Sequence, residues 1–175
     1  MSEMKKILLI FISVTFFIAD VSAELPLGEK PPLVILPSGN IDGSAWKSKE
    51  IIGKVFVLFY VDPDEKEINQ HVKKALVKEK FPLDQFGFIA VMNLAATWIP
   101  NFAIESMLKN AQKESTHTII VKDKTKELVK KWALRDHCFD VVAFDKKGRV
   151  IFSKDGKLLA EDIKTLIKEV RKYLE

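Results

Sequence analysis

Residues 55–67 read VFVLFYVDPDEKE. The apolar and aromatic run from Val55 to Val61 is continuous rather than alternating, which predicts a strand covered on both faces. It turns at once into Asp62-Pro63-Asp64-Glu65. Asp62 suits a helix N-cap, Pro63 suits the first helical position, and Glu65 stands three past the cap, so the order predicts a capping box with Asp in the cap role. Ile68, Val72, Ala75 and Leu76 keep helical spacing and predict a helix over about residues 64–80, ended by Pro82. The first turn of such a helix has free backbone N–H groups and the positive end of the helix dipole. An alternative reading makes Asp64 and Glu65 a catalytic carboxylate pair, although acidic residues in a first turn are ordinary.

Working outward, residues 24–50 hold Pro26, Pro31, Pro32, Pro37 and Gly39 and predict an irregular lead-in with one short strand near Leu33–Leu36. A second apolar strand is expected at Phe86–Met92. After the loop Asn93–Asn101, a helix is expected over Phe102–Lys113, with Ile104, Met107, Leu108 and Ala111 on one stripe. A third strand at Thr118–Val121 precedes a short amphipathic helix at Lys124–Trp132. Asp140–Phe144 and Arg149–Ser153 flank the turn Asp145-Lys146-Lys147-Gly148 and predict a β-hairpin. Leu159, Ile163, Leu166, Ile167, Val170 and Leu174 predict a closing helix. Strands alternating with helices pair in parallel, and the late hairpin adds antiparallel strands. The expected fold is an α/β sandwich with a mixed central sheet.

Lys5 and Lys6 precede the apolar run Ile7–Ile18, and Val21-Ser22-Ala23 supplies small or apolar residues at −3 and −1 of a cleavage site. This is the layout of a signal peptide, with cleavage expected after Ala23, a periplasmic destination and one domain over residues 24–175. The apolar run is shorter than the roughly 20 residues a spanning helix needs, so no membrane span is expected after cleavage, and no cysteine stands near the cut to carry a lipid. The chain has 28 Lys and Arg against 24 Asp and Glu, net +4. The lysines are scattered, which together with export argues for a solvated surface and against nucleic-acid binding. Cys138 is the single cysteine, so no internal disulfide is available.

GEKPPLVILPSGN (28–40), WKSKEIIGKVFVLFYV (46–61) and FDKKGRVIFSKDGKL (144–158) together resemble the thioredoxin-like superfamily in its peroxiredoxin and cytochrome-maturation branches. Within it, IIGKVFVL, FPLDQF (81–86), VMN (91–93), KWAL (131–134) and VVAFDKKGRVIFSKDGKL (141–158) resemble the YtfJ-like family. Its members are small exported bacterial proteins of thioredoxin-type fold that lack the cysteine pair. The resemblance implies a thioredoxin-like sandwich with flanking helices and a C-terminal β-hairpin. After Asn93, where that family often carries acidic residues, this chain has Leu-Ala-Ala-Thr-Trp.

Thioredoxin-type chemistry needs a thiolate at a helix N-terminus and a second cysteine to resolve the mixed disulfide. Here Asp62, Pro63 and Glu65 stand at that place, so the redox position reads as a structural helix start. The resemblance also implies a cis-proline before the hairpin. Counting back from Gly148, it should fall at Phe139, and a trans bond is expected there. The expected role is that of a redox-inactive binding or adaptor domain, with no cofactor or metal and an envelope protein or small molecule as unidentified partner. The alternative is an atypical thiol oxidoreductase or peroxidase using Cys138 alone, a residue that equally reads as an inert small hydrophobe. His137-Cys138 lacks the further ligands of a soft-metal site. His71 reads as exposed, and His117 has no visible partner. Ligands of open α/β sheets bind beyond the C-terminal ends of parallel strands. The expected binding edge is therefore Asn93, Trp98, Pro100, Cys138 and Phe139, with Trp98 an aromatic platform or, alternatively, loop packing. Trp132 reads as core.

Overall fold

A computed structural model describes residues 24–175 apart from Thr97, Trp98 and Thr116. Residues 1–23, read from sequence as a signal peptide, and Trp98 therefore lie outside the described residues. Two short strands, β1 (Ile35–Leu36) and β2 (Trp46–Lys47), pair antiparallel in the lead-in. Then follow β3 (Val55–Val61), α1 (Gln70–Lys78), β4 (Phe86–Asn93), α2 (Asn101–Glu114), β5 (Thr118–Asp123), α3 (Glu127–Trp132), β6 (Phe139–Phe144), β7 (Val150–Asp155) and α4 (Ala160–Leu174). The main sheet has the order β5-β4-β3-β6-β7. β3, β4 and β5 run parallel, while β6 and β7 run antiparallel to their neighbours. This is the mixed-sheet sandwich that the strand and helix order predicts.

The continuous apolar run of β3 is explained by its central place: all seven residues are buried. Phe56, Leu58 and Tyr60 face one layer with Trp46, Trp132 and Phe144. Val55, Val57, Phe59 and Val61 face the other, against Val72 and Leu76 of α1 and Leu166 and Val170 of α4. Ile104 and Leu108 of α2 pack on Leu94 and Ile120 in a smaller cluster.

The helix expected over 64–80 is divided. Pro63–Glu65 form a 3-10 turn, and the α-helix begins only at Gln70. The interruption has a tertiary cause. Buried Asn69 donates from Nδ2 to the Gly156 carbonyl (2.7 Å) and accepts at Oδ1 from Leu158 N–H (3.0 Å), fastening the β7–α4 connection. The lead-in is less irregular than its prolines suggest, because it clasps both rims of the sheet. On the β7 side Gly28 N–H donates to Val150 O (2.7 Å), Val150 N–H donates to Glu29 O (2.8 Å), and Leu25 N–H donates to Ser153 Oγ (2.9 Å). On the β5 side Lys122 N–H donates to Gly39 O (2.8 Å). Gly39 must be glycine, since a Cβ would fall 2.8 Å from the Leu36 Cβ and 2.9 Å from the Trp46 Cβ. Trp132 is core, as expected, with its ring N–H donated to Pro32 O (2.7 Å). Among the described residues no helix is long and apolar enough to cross a membrane.

Candidate functional site

The parallel strands β4 and β5 end on Asn93 and Asp123, and β3 runs directly into Asp62, while β6 begins beside them, with Phe139 opposite Val61 and Asp140 opposite Tyr60. Side chains alternate between faces, so Tyr60, Asn93, Asp123 and Asp140 belong to one face of this edge, the face carrying α3. All four are buried, as is Asp62. A polar layer thus closes the end of an apolar sheet, where most side chains at such depth are apolar.

Each member fastens part of the chain between β5 and β6. Asp123 accepts the N–H groups of Thr125, Glu127 and Leu128 (3.0–3.2 Å) and so starts α3; it also takes the Tyr60 hydroxyl at 3.3 Å. Asn93 donates from Nδ2 to Asp136 (3.2 Å). Asp140 accepts Arg135 N–H (3.1 Å). Asp62 holds the 3-10 turn by accepting Asp64 N–H at 2.9 Å, and its other oxygen lies 3.4 Å from His137 Nδ1. The Asp62 backbone N–H donates to Cys138 O at 3.1 Å. That bond replaces the reach-back from Glu65 which the capping-box reading expects; the cap itself is as read.

Residues 133–138 therefore form a strap across the strand ends. Lys126 bonds Asp136 at 2.7 Å, and Arg135 bridges to Asp155 at 3.2 Å. Lys126, Ala133 and His137 take left-handed backbone conformations, with φ of 57°, 52° and 52°. Such conformations cost a non-glycine residue about 1–2 kcal/mol each. Two buried oxygens have no hydrogen-bond donor among the described residues: Asn93 Oδ1 and Asp140 Oδ2.

Burial pushes the Asp140 carboxyl up to about 7, with the charge of Asp155 adding to it against the pull of Arg135. Burial, and then the Asp123 carboxylate, push the Tyr60 hydroxyl far up. Partial burial opposes ionisation of Asp136, yet the Lys126 ammonium and the His137 N–H hold its carboxyl below the usual range. Burial raises the Cys138 thiol, which lowers the fraction present as nucleophilic thiolate.

The residues read from sequence as a binding edge are only partly brought together as a surface. Pro100 is exposed and Cys138 half-buried, but Asn93 is inside. Phe139 is not surface either: its ring packs edge-on against Phe59, centroids 5.8 Å apart, in the core on the opposite face. Strand alternation explains it, because Phe139 and Asp140 point to opposite faces. Every described peptide bond is trans, including that before Phe139. His71 is exposed yet bonded through Nε2 to Leu158 O (2.9 Å). Among the described residues no group of three or more His, Cys, Asp or Glu is placed to hold a metal ion. Sequence reading missed Asp123 and Asp140 as parts of this layer, and Asp136 as its contact on the strap. The available signal for the first two was an acidic residue closing one apolar run, TIIVKD, and opening the next, DVVAF.

The family model described as "Bacterial protein of unknown function (YtfJ_HI0045)" matches residues 26–173. "Uncharacterized protein YtfJ" of Escherichia coli (strain K12) is 26% identical over 146 residues, covering 81% of this chain and 79% of that protein. The solved thioredoxin-like superfamily protein SPOA0173 is similar with a TM-score of 0.63 at 14% identity, over 83% of this chain and 96% of that one. The exposed lipoprotein thioredoxin Etrx1 of Streptococcus pneumoniae strain TIGR4 is similar with a TM-score of 0.55 at 14% identity, over 81% and 99%. At these identities the solved structures establish the fold, which is thioredoxin-like.

Proposed function

We propose that this chain, which belongs to the family of bacterial proteins of unknown function YtfJ_HI0045, is a redox-inactive binding domain of the periplasm built on a thioredoxin-like fold. The observation that carries the reading is the bond from Asp62 N–H to Cys138 O, together with the Asp62 carboxylate on Asp64 N–H. A dithiol enzyme of this fold keeps its helix start and the segment before the hairpin available to a thiolate and its substrate. Here those two places are bonded to each other and capped by a carboxylate. Cys138 has no second cysteine to resolve a mixed disulfide, and its thiol is raised rather than lowered. The signal-like segment, residues 1–23, supports export.

What such a domain retains is a scaffolded edge. The loop that follows Asn93 in the chain, the stretch that includes Trp98 and Pro100, leaves the C-terminal end of a parallel strand, where ligands of open sheets bind. The strap ending at Cys138 crosses the same end of the sheet. The test pairs two measurements. Insulin reduction by wild type and by Cys138→Ser is expected to match a blank without protein. A pull-down from envelope extract is expected to return a protein that Trp98→Ala loses. Turnover that depends on Cys138 would replace this reading with that of a single-cysteine oxidoreductase.

A further inference from the structure

The strap resembles a ligand lying on its own receptor. Its basic side chains, two residues apart, rest on carboxylates of different strands: Arg135 on Asp155 of β7 at 3.2 Å and His137 on Asp62 beyond β3 at 3.4 Å. Arg135 N–H lies on Asp140 of β6. The fit is incomplete, since Asn93 Oδ1 and Asp140 Oδ2, on residues 0% and 1% exposed, lack donors among the described residues. The arrangement also holds Ala133 and His137 at positive φ. Leu134 is anchored in the core, but the Arg135 and His137 side chains are 63% and 65% exposed, and residues 135–138 are held to the sheet end by bonds to Asp62, Asn93, Lys126 and Asp140 that a competing segment must replace. Beside them, residues 62–67 (DPDEKE) bring four carboxyl groups and one ammonium.

We propose that this edge is a receptor for a basic segment of another polypeptide, one with Arg or Lys side chains two residues apart in an extended chain. Residues 135–138 are the internal occupant that the segment displaces. The incoming guanidinium or ammonium groups take the places of Arg135 and His137 on Asp155 and Asp62. Their additional N–H donors reach the Asn93 and Asp140 oxygens that the internal strap leaves unpaired. Guanidinium suits the role because its fork of donors matches carboxylate geometry. This inference rests on the binding reading above and names the partner's chemistry.

The probe is a fluorescein-labelled peptide Ala-Leu-Arg-Gly-Arg-Ser, compared with its citrulline counterpart by anisotropy at about pH 8, where Asp140 is ionised. The arginine peptide is expected to bind and the citrulline peptide not. Asp62→Asn, which keeps the capping oxygen, and Asp140→Asn, an isostere of the buried acid, should each weaken binding about tenfold. Lys126→Met removes the tie to Asp136, weakens the internal competitor and should tighten binding. Peptide addition should also speed alkylation of Cys138 as the strap lifts. Equal affinity for both peptides, indifference to both Asp variants, or no binding even to Lys126→Met overturns the inference. If an envelope protein is still captured through Trp98 in that case, the binding reading stands and only the basic-segment assignment falls.

Discussion

Asp140→Asn should remove the part of the pH dependence of stability that comes from a carboxyl holding its proton more tightly in the folded chain than in the unfolded one. Asp140 is 1% exposed, faces Tyr60 across the β3–β6 pair, and has Asp155, Arg135 and Cys138 around it. Its carboxyl is raised from 3.8 to about 7, burial being the main cause. For an acid raised on folding, the native state keeps a proton that the unfolded chain has released. Stability from this group is therefore complete below the unfolded value and is lost as pH rises through the folded one. Every tenfold change in proton affinity corresponds to about 1.4 kcal/mol, so the ceiling is about 4 kcal/mol. Between about pH 5 and pH 7 the wild type should lose about 2 kcal/mol relative to the asparagine variant, which carries no titrating group there. Urea unfolding of both proteins at several pH values across that interval measures the difference, since the other titrations cancel. A gap between the two proteins that stays constant from pH 5 to pH 8 would refute the assignment of a buried neutral carboxyl to Asp140.

Asp62→Ala removes both the cap on Asp64 N–H and the contact with His137 and should cost about 0.5–2 kcal/mol, while Asp62→Asn should stay within a few tenths of wild type; urea midpoints decide it, and equal stability of the alanine variant contradicts the capping role. Gly39→Ala drives a methyl against the β-carbons of Leu36 and Trp46, neither of which can rotate away, and should cost about 1–3 kcal/mol; an unchanged melting temperature would show that the lead-in yields there.

Patterns with a strong period were legible. The continuous run of β3, the hairpin around Gly148 and the stripe of α4 could each be read locally, because burial on two faces, turn chemistry and helical spacing leave direct marks on residue order. β2 left none, since Trp46-Lys47 is too short to show a period and is recognisable only through its partner Ile35-Leu36. The delayed start of α1 follows from Asn69 reaching Gly156 and Leu158, nearly ninety residues away, a cause no local window contains. Within the site, Asp62 announced itself as a cap, but its bonds to His137 and Cys138 depend on β6 pairing back along β3. Phe139 was misplaced for a related reason. Its neighbour Asp140 faces the polar layer, so Phe139 turns the other way, onto Phe59.

The clasp of the lead-in on both rims of the sheet also sets an order of events in time. Leu25 is held by Ser153, 128 residues further along the chain, so the beginning of the domain finds its place only after nearly all of it has been synthesised. Until β7 exists, residues 25–29 have nothing to grip, and on the far side Gly39 must wait for Lys122. A nascent chain therefore stays loose at its front end and exposes unpaired strand edges, the condition in which partly made proteins stick to one another or meet proteases. The finished sheet has neither liability at the clasped positions.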